Sequence, residues 1–408
     1  MSGLPLKHQR PHPMPPVPLL ARRLWLAGSL LLSAVLGLAL AQKSAHPTVL
    51  GRWSGEYALL LKALLTLCAL AWVSALPAIQ ARLWAARAKL LLLGLSLALS
   101  LAAGEVLLRV ADPLGLNYHD EIARYIGLRQ DDSVLAYVQP KDMQLVLDGA
   151  HIRFNSLGLR GAEIGPKQPT EKRLLVLGDS VAFGWGVEEQ ALFGSLLAER
   201  LSAQTGSTWT PINAGVCSYN SIQERLYLEH RGLALEPDLV VLVYIDNDVL
   251  TYGKRWQQAE ASKPPLRRRL KQTLQSSHLV QTLTKVAGDD GDKHATGPER
   301  DLGPEDSGWQ SNMRALTELV ELCAARELDL ALYHFRWRSD PWSDSLLEDA
   351  RKHTAPIPIA DTAPWFADLE LRDLVNSPTD SHPNPKAHAL TAERMHAELQ
   401  RLGLPKPE

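Results

Sequence analysis

The chain has 408 residues, enough for more than one structural unit, and a formal net charge of −2. That balance excludes a nucleic-acid binder held by a basic face. Of the three cysteines, Cys68 lies in an apolar segment, while Cys217 and Cys323 read as buried thiols rather than as a disulfide. No Cys-x-x-Cys or Cys/His cluster points to a metal, and no metal or organic cofactor is expected.

The averages conceal a sharp division. Three apolar segments come first: Leu24 to Ala41, Ala63 to Ile79, and Leu90 to Val110, the last broken only by Glu105 and Arg109. Each approaches the roughly 20 residues that cross a bilayer. Lys7, Arg10, Arg22 and Arg23 precede the first segment, and Arg82, Arg87 and Lys89 follow the second. Basic flanks stay on the cytoplasmic side, so three crossings place everything after Val110 outside. Ala39-Leu40-Ala41 also fits a signal cleavage site, and cleavage there leaves the later domain on the same side. Glu105 and Arg109, four apart, read as a helix ion pair at the membrane interface.

Residues 1–110 are therefore expected to form a membrane unit, 111–170 a juxtamembrane entry region, and 171–408 a soluble domain with an insertion at 254–308. In the entry region, Leu145–Leu147 and Ile152–Phe154 flank Asp148-Gly149 and predict a small hairpin. Strands are then predicted at Arg173–Leu177, Thr210–Asn213, Leu239–Ile245, Leu328–His334 and Ile357–Ala360. Helices are predicted at Ala191–Ser202, Ile222–Arg231, Trp309–Arg326, Ser343–Lys352 and Pro385–Leu402. This alternation implies an α/β domain, a mostly parallel sheet with helices on both faces. Within the insertion, Pro265–Val286 reads as a basic amphipathic helix carrying Arg267-Arg268-Arg269, and Gly288–Gly308 as a polar loop; a solvated insertion is favoured over a lid.

Four blocks carry chemistry. The apolar run Leu174–Leu177 breaks into Gly178-Asp179-Ser180, and a serine at the end of a buried strand sits where open α/β folds build their sites. Asn213-Ala214-Gly215 ends the second strand, where a glycine lets a backbone N–H approach a substrate oxygen; a plain tight turn fits equally. The strand Val240–Ile245 ends in Asp246-Asn247-Asp248, whose Asn247 amide is either an oxyanion donor or part of a turn. Asp380 and His382 stand in an irregular segment before the last helix, where the carboxylate can fix the tautomer of the imidazole. His388 and His396 fall on that helix and read as surface residues.

In this order the blocks resemble those of the SGNH or GDSL hydrolases: Gly178-Asp179-Ser180, then Gly215, then Asn247-Asp248, then Asp380 and His382. The resemblance runs from about Asp132 to the end. NSLGLRG at Asn155–Gly161, GWGV after the serine, and a transmembrane helix ending in GEVLLR resemble a membrane-anchored branch. Two departures stand out: Ile245 replaces the usual glycine of the third block, and Asp-x-His is shorter than the commoner Asp-x-x-His.

The resemblance implies a three-layer α/β/α, flavodoxin-like fold and a serine hydrolase acting on esters through an acyl-enzyme. It makes Ser180 the nucleophile, His382 the base and Asp380 its orienting acid. Ser180 and Gly215 would give backbone N–H groups to the oxyanion, Asn247 its side chain, and Asp179 would support the turn. The implied substrate is an O-acyl ester on a cell-surface glycan or a lipid, met on the periplasmic side of a bacterial inner membrane. Two rivals share the fold: an acyltransferase, which would need an acyl-donor partner, and a non-catalytic glycan-binding or assembly module.

Overall fold

The computed structural model describes residues 16–42, 55–112, 115–249, 277–280 and 302–406, with single positions at 49, 52 and 282. Lys7, Arg10, the Arg267–Arg269 run and the polar loop from Gly288 to residue 301 lie outside the described residues. The chain forms two compact units, Met1–Gly104 and Glu105–Glu408.

The first unit is helical. Helices α1 (Leu19–Ala41) and α2 (Gly55–Ala75) run side by side, joined by Trp25 Nε1 to Ser74 Oγ and Trp72 Nε1 to Ser33 Oγ. Helix α3 (Pro77–Ala111) follows and continues into the second unit. By length and composition α1 and α3 are apolar enough to cross a membrane, and α2 contributes the shorter apolar stretch Leu61–Ala75. The expected second segment is thus interrupted. Pro77 lacks an N–H and clashes with the preceding turn, so α2 stops and α3 starts on the proline.

The second unit opens with helix α4 (Asn117–Leu128), the strand pair β1 (Gln130–Asp132) and β2 (Ala136–Val138), and the hairpin β3 (Met143–Leu147) and β4 (Ala150–Phe154). The hairpin turns at Asp148 (φ 47°) and Gly149 (φ 77°), the positive-φ pair that suits a two-residue hairpin loop. Residues 111–170 pack as part of this unit. Tyr125, Leu147, Ile152 and Phe154 form one buried cluster with Phe183, Trp185 and Cys217.

The central sheet holds β5 (Glu171–Gly178), β6 (Thr208–Asn213), β7 (Leu239–Ile245), β8 (Asp329–Phe335) and β9 (Ile359–Asp361). All are parallel, in the order β6-β5-β7-β8-β9. This is the doubly wound order 2-1-3-4-5, and it requires helices on both faces. Alternate residues explain the apolar runs. Leu175, Leu177, Val240 and Leu242 face the layer of α7 (Ser221–Tyr227), α8 (Ser307–Ala325) and α9 (Pro341–Thr354). Leu174, Val176, Val241 and Val243 face α6 (Phe193–Thr205) and the final helix α10 (Pro385–Leu402). A strand covered on both sides reads as a continuous apolar run rather than an alternating one.

Two expectations need correction. The Asp380–His382 segment is not irregular: β10 (Val375–Ser377) and β11 (Asp380–Pro383) pair antiparallel. His388 is not a surface residue. It is buried, stacked on Phe193 at 5.3 Å, and its Nδ1 accepts the Phe193 N–H, so it ties α10 to the start of α6. His396 lies partly exposed beside Gln204. The Glu105–Arg109 pair forms at 2.8 Å, but Glu105 also accepts the N–H groups of His278 and Leu279 and the Ser277 hydroxyl. The described part of the insertion is thereby docked on the end of α3.

Candidate active site

The site lies where the strand order reverses, between β5 and β7, which is where doubly wound sheets open a crevice at their carboxyl ends. Strand β5 ends at Gly178, whose φ is 147° and whose added Cβ would fall 2.8 Å from Val243 O. Only glycine allows β5 to pass that close to β7. The chain then turns into a short helix, α5 (Ser180–Phe183), capped by Asp179 through the Val181 N–H. Ser180 is the first residue of this helix and 9% exposed.

Strand β11 supplies the partners. Successive side chains of a strand alternate between faces, so residues two apart share one. The short Asp-x-His spacing therefore puts Asp380 and His382 side by side. His382 Nδ1 lies 2.5 Å from Asp380 Oδ1, and His382 Nε2 lies 2.8 Å from Ser180 Oγ. The His382 backbone N–H also donates to Asp380 Oδ1 at 3.0 Å. Asn376 on β10 holds the other oxygen, donating from Nδ2 to Asp380 Oδ2 at 3.0 Å. The Asp380 side chain is 1% exposed and that of His382 14%, so the acid is sealed and the imidazole edge faces outward.

Charge follows from these contacts. Burial disfavours the imidazolium, but the bond to Asp380 and the nearby Asp179 and Asp148 carboxyls outweigh it, and His382 titrates above its ordinary value. Burial alone would raise Asp380; the hydrogen bonds from His382 and Asn376 reverse that and hold it below the usual carboxylate range. Asp179 is pushed up by burial. Its Oδ2 lies 3.0 Å from Ser180 Oγ, so two acceptors compete for one hydroxyl proton.

The expected oxyanion donors behave differently from one another. Gly215 N–H donates to Asn213 Oδ1 at 2.9 Å, an Asx turn that occupies the expected donor. The reason for glycine here is packing: a Cβ would lie 2.3 Å from Phe183 N and 2.6 Å from Ala182 C. Asn213 Nδ2 donates to Ala182 O at 2.9 Å, so the second block braces α5. Asn247 sits in the single turn Asp246–Val249 after β7, and its Oδ1 is buried without a partner among the described residues. Ile245 is the last residue of β7, buried in the core on the α6 side of the sheet.

Other residues of the site carry little or no sequence signal. Tyr118 from α4 and Trp185 flank the His382 ring at 5.7 and 6.2 Å between centroids. Arg160 is buried and donates to the carbonyls of Phe183 and Gly184, each at 2.7 Å, and to that of Val187. Arg160 and Trp185 fall in the NSLGLRG and GWGV motifs, which was their only signal. Asn376, four residues before Asp380, had none. Glu224 and Asp248 are both buried and both held well above the ordinary carboxyl range by burial and by carboxyls that include Asp179. Among the described residues no three such groups are placed to share a metal ion.

Residues 176–390 match the GDSL-like Lipase/Acylhydrolase family, more than half of the chain. No curated protein matches the chain. Several solved structures are similar. A lipase from a goat rumen metagenome is 13% identical, covering 55% of this chain and 96% of its own at a TM-score of 0.37. The psychrotrophic esterase EstA from Pseudoalteromonas sp. is 16% identical, covering 57% and 98% at 0.37. A two-domain esterase active on acetylated mannans is 15% identical, covering 58% and 51% at 0.38.

Proposed function

Since the chain belongs to the GDSL-like lipase/acylhydrolase family and is an ester-hydrolysing enzyme, we propose that Ser180, His382 and Asp380 are its catalytic triad. The observation that carries this reading is the continuous chain of contacts from Ser180 Oγ through His382 to Asp380 at the carboxyl edge of the sheet. Ser180 Oγ attacks the ester carbonyl carbon while its proton passes to His382 Nε2. The imidazolium, stabilised by Asp380, then protonates the alkoxide oxygen as the ester C–O bond breaks. Water attacks the acyl-enzyme, His382 takes a proton from it, and that proton returns to Ser180 as the acid leaves. The Ser180 N–H and the Asn247 amide serve the oxyanion.

The enzyme is further proposed to be anchored by α1, α2 and α3 and to act outside the cytoplasm. Arg22 and Arg23 before the apolar run of α1, and Arg82, Arg87 and Lys89 near the start of α3, support this orientation. O-acyl esters of surface glycans or lipids are the substrates that such a placement would bring to Ser180. Replacing Ser180 by Ala should lower aryl-ester turnover by ~10⁴-fold or more while leaving the melting temperature unchanged. Loss of a fluorophosphonate label in the same variant tests the nucleophile directly. Wild-type turnover by Ser180→Ala would overturn the assignment.

A further inference from the structure

The β3–β4 hairpin reaches the acid–base pair from outside the central sheet. Its tip residue, Asp148, is half-buried. A Cβ on Gly186 would fall 2.9 Å from Asp148 Oδ2 and 2.5 Å from Asn376 Nδ2, so all three meet at one point. Asn376 is also the residue that holds Asp380 Oδ2, and it donates at 2.9 Å to the carbonyl of Trp185, the neighbour of Gly186. The Asp148 and Asp380 carboxyls thus both lie beside the Asn376 amide. Two carboxylates in contact cannot both stay ionised at low cost; a proton between them turns repulsion into a bond. Asp380 Oδ1 already accepts from His382, which leaves the Oδ2 side for Asp148.

We propose that Asp148 is a positioning residue of the active site, which donates its carboxyl proton to Asp380 and, once ionised, adds negative charge beside His382. This rests on the triad reading above. The charged and titratable groups facing Asp148 are Asp380 and His382 from β11 and Tyr118 from α4; His382 faces Asp179 from the nucleophile turn as well. Burial and the neighbouring Asp380 push Asp148 up to about 6, and the same groups bear on the His382 imidazole. Below that range the neutral acid braces Asp380. Above it the new charge favours the imidazolium and holds the His382 titration up. The acid limb of kcat/KM reports that titration in the free enzyme.

The test measures p-nitrophenyl acetate hydrolysis by the full chain in detergent from pH 5 to 9, for wild type, Asp148→Asn, Asp148→Gly and Ser180→Ala. Both Asp148 replacements suit a positive φ, so the turn is kept. Asn retains a donor toward Asp380 without the charge. Its acid limb should move to lower pH by about half a unit or more, with kcat at pH 8 within about threefold of wild type. Gly should show the same shift and, below about pH 6, where the neutral acid braces Asp380 in the wild type, a kcat ~10-fold lower than that of Asp148→Asn. Profiles of both variants that superimpose on wild type, beside an inactive Ser180→Ala, overturn the role of Asp148 alone. An active Ser180→Ala overturns the triad, and this proposal with it.

Discussion

Glu224 is a buried acid near the site. It is 1% exposed, and neither carboxylate oxygen has a hydrogen-bond partner among the described residues. Burial and Asp179 raise Glu224, and burial, Glu224 and Asp179 raise Asp248, so the folded protein retains protons that the unfolded chain releases. The sign follows: for acids raised on folding, stability is greatest at or below the ordinary carboxyl range and falls as pH rises toward the raised values. Each retained proton contributes about 1.4 kcal/mol per pH unit. Glu224→Gln replaces the acid by a neutral group of the same shape. Its melting temperature should change less between pH 5 and 8 than that of the wild type, and equal slopes would refute the assignment. Such residues explain the limits of legibility. Ser180, Asp380 and His382, which meet in the fold, could be grouped from the sequence because their blocks follow one another in a recognisable order. The close contact that demands Gly215, and the carboxyls gathered behind Asp179, arise between distant segments and leave no local trace.

At the scale of elements, the NSLGLRG segment acts as a clamp. Asn155 Oδ1 accepts from Leu157 and Leu159, each at 3.0 Å, and its Nδ2 donates to Ala162 O. This turn delivers Arg160 to the last carbonyl of α5 and to two carbonyls of the loop that follows, with its guanidinium 4.8 Å from the Phe183 ring. The backbone of Arg160 also bridges Phe154 and Asn213, so one residue joins the β3–β4 hairpin to the main sheet. Burial pulls its guanidinium down to about 10, still charged at neutral pH. Arg160→Lys offers one ammonium where a planar fork spans three acceptors. It should cost about 2–4 kcal/mol of stability and lower kcat by ~10-fold or more, as read by denaturation and aryl-ester kinetics. Wild-type kcat in Arg160→Lys would show that the clamp does not position the nucleophile. The long buried strands were legible as apolar runs. The β10–β11 hairpin was not, because its seven residues are mostly polar and half-exposed and make no apolar pattern.

For the whole molecule, the question is where the catalytic unit begins. The alternation of strands and helices starts at β5, and the sequence places a boundary near residue 171. The packing draws it elsewhere, because Tyr118, Asp148 and Arg160 all reach the Ser180–His382 region from before that point. Tyr125, Leu147, Ile152 and Phe154 are each 1% exposed or less, and they cover Phe183, Trp185 and Cys217. Burying one such side chain is worth about 1.5–3 kcal/mol, and a domain's net stability is only about 5–15 kcal/mol. Removing four of them, and baring the three they cover, therefore threatens the entire fold. A fragment of residues 105–408 should unfold cooperatively and keep the fluorophosphonate label on Ser180, because it retains this cluster together with Glu105 and its bonds to Ser277, His278 and Leu279. A fragment of residues 171–408 should aggregate or lose its melting transition and its label. Equal labelling of the two fragments would mean that the sheet domain completes its own site, and that the hairpin and α4 only cover it.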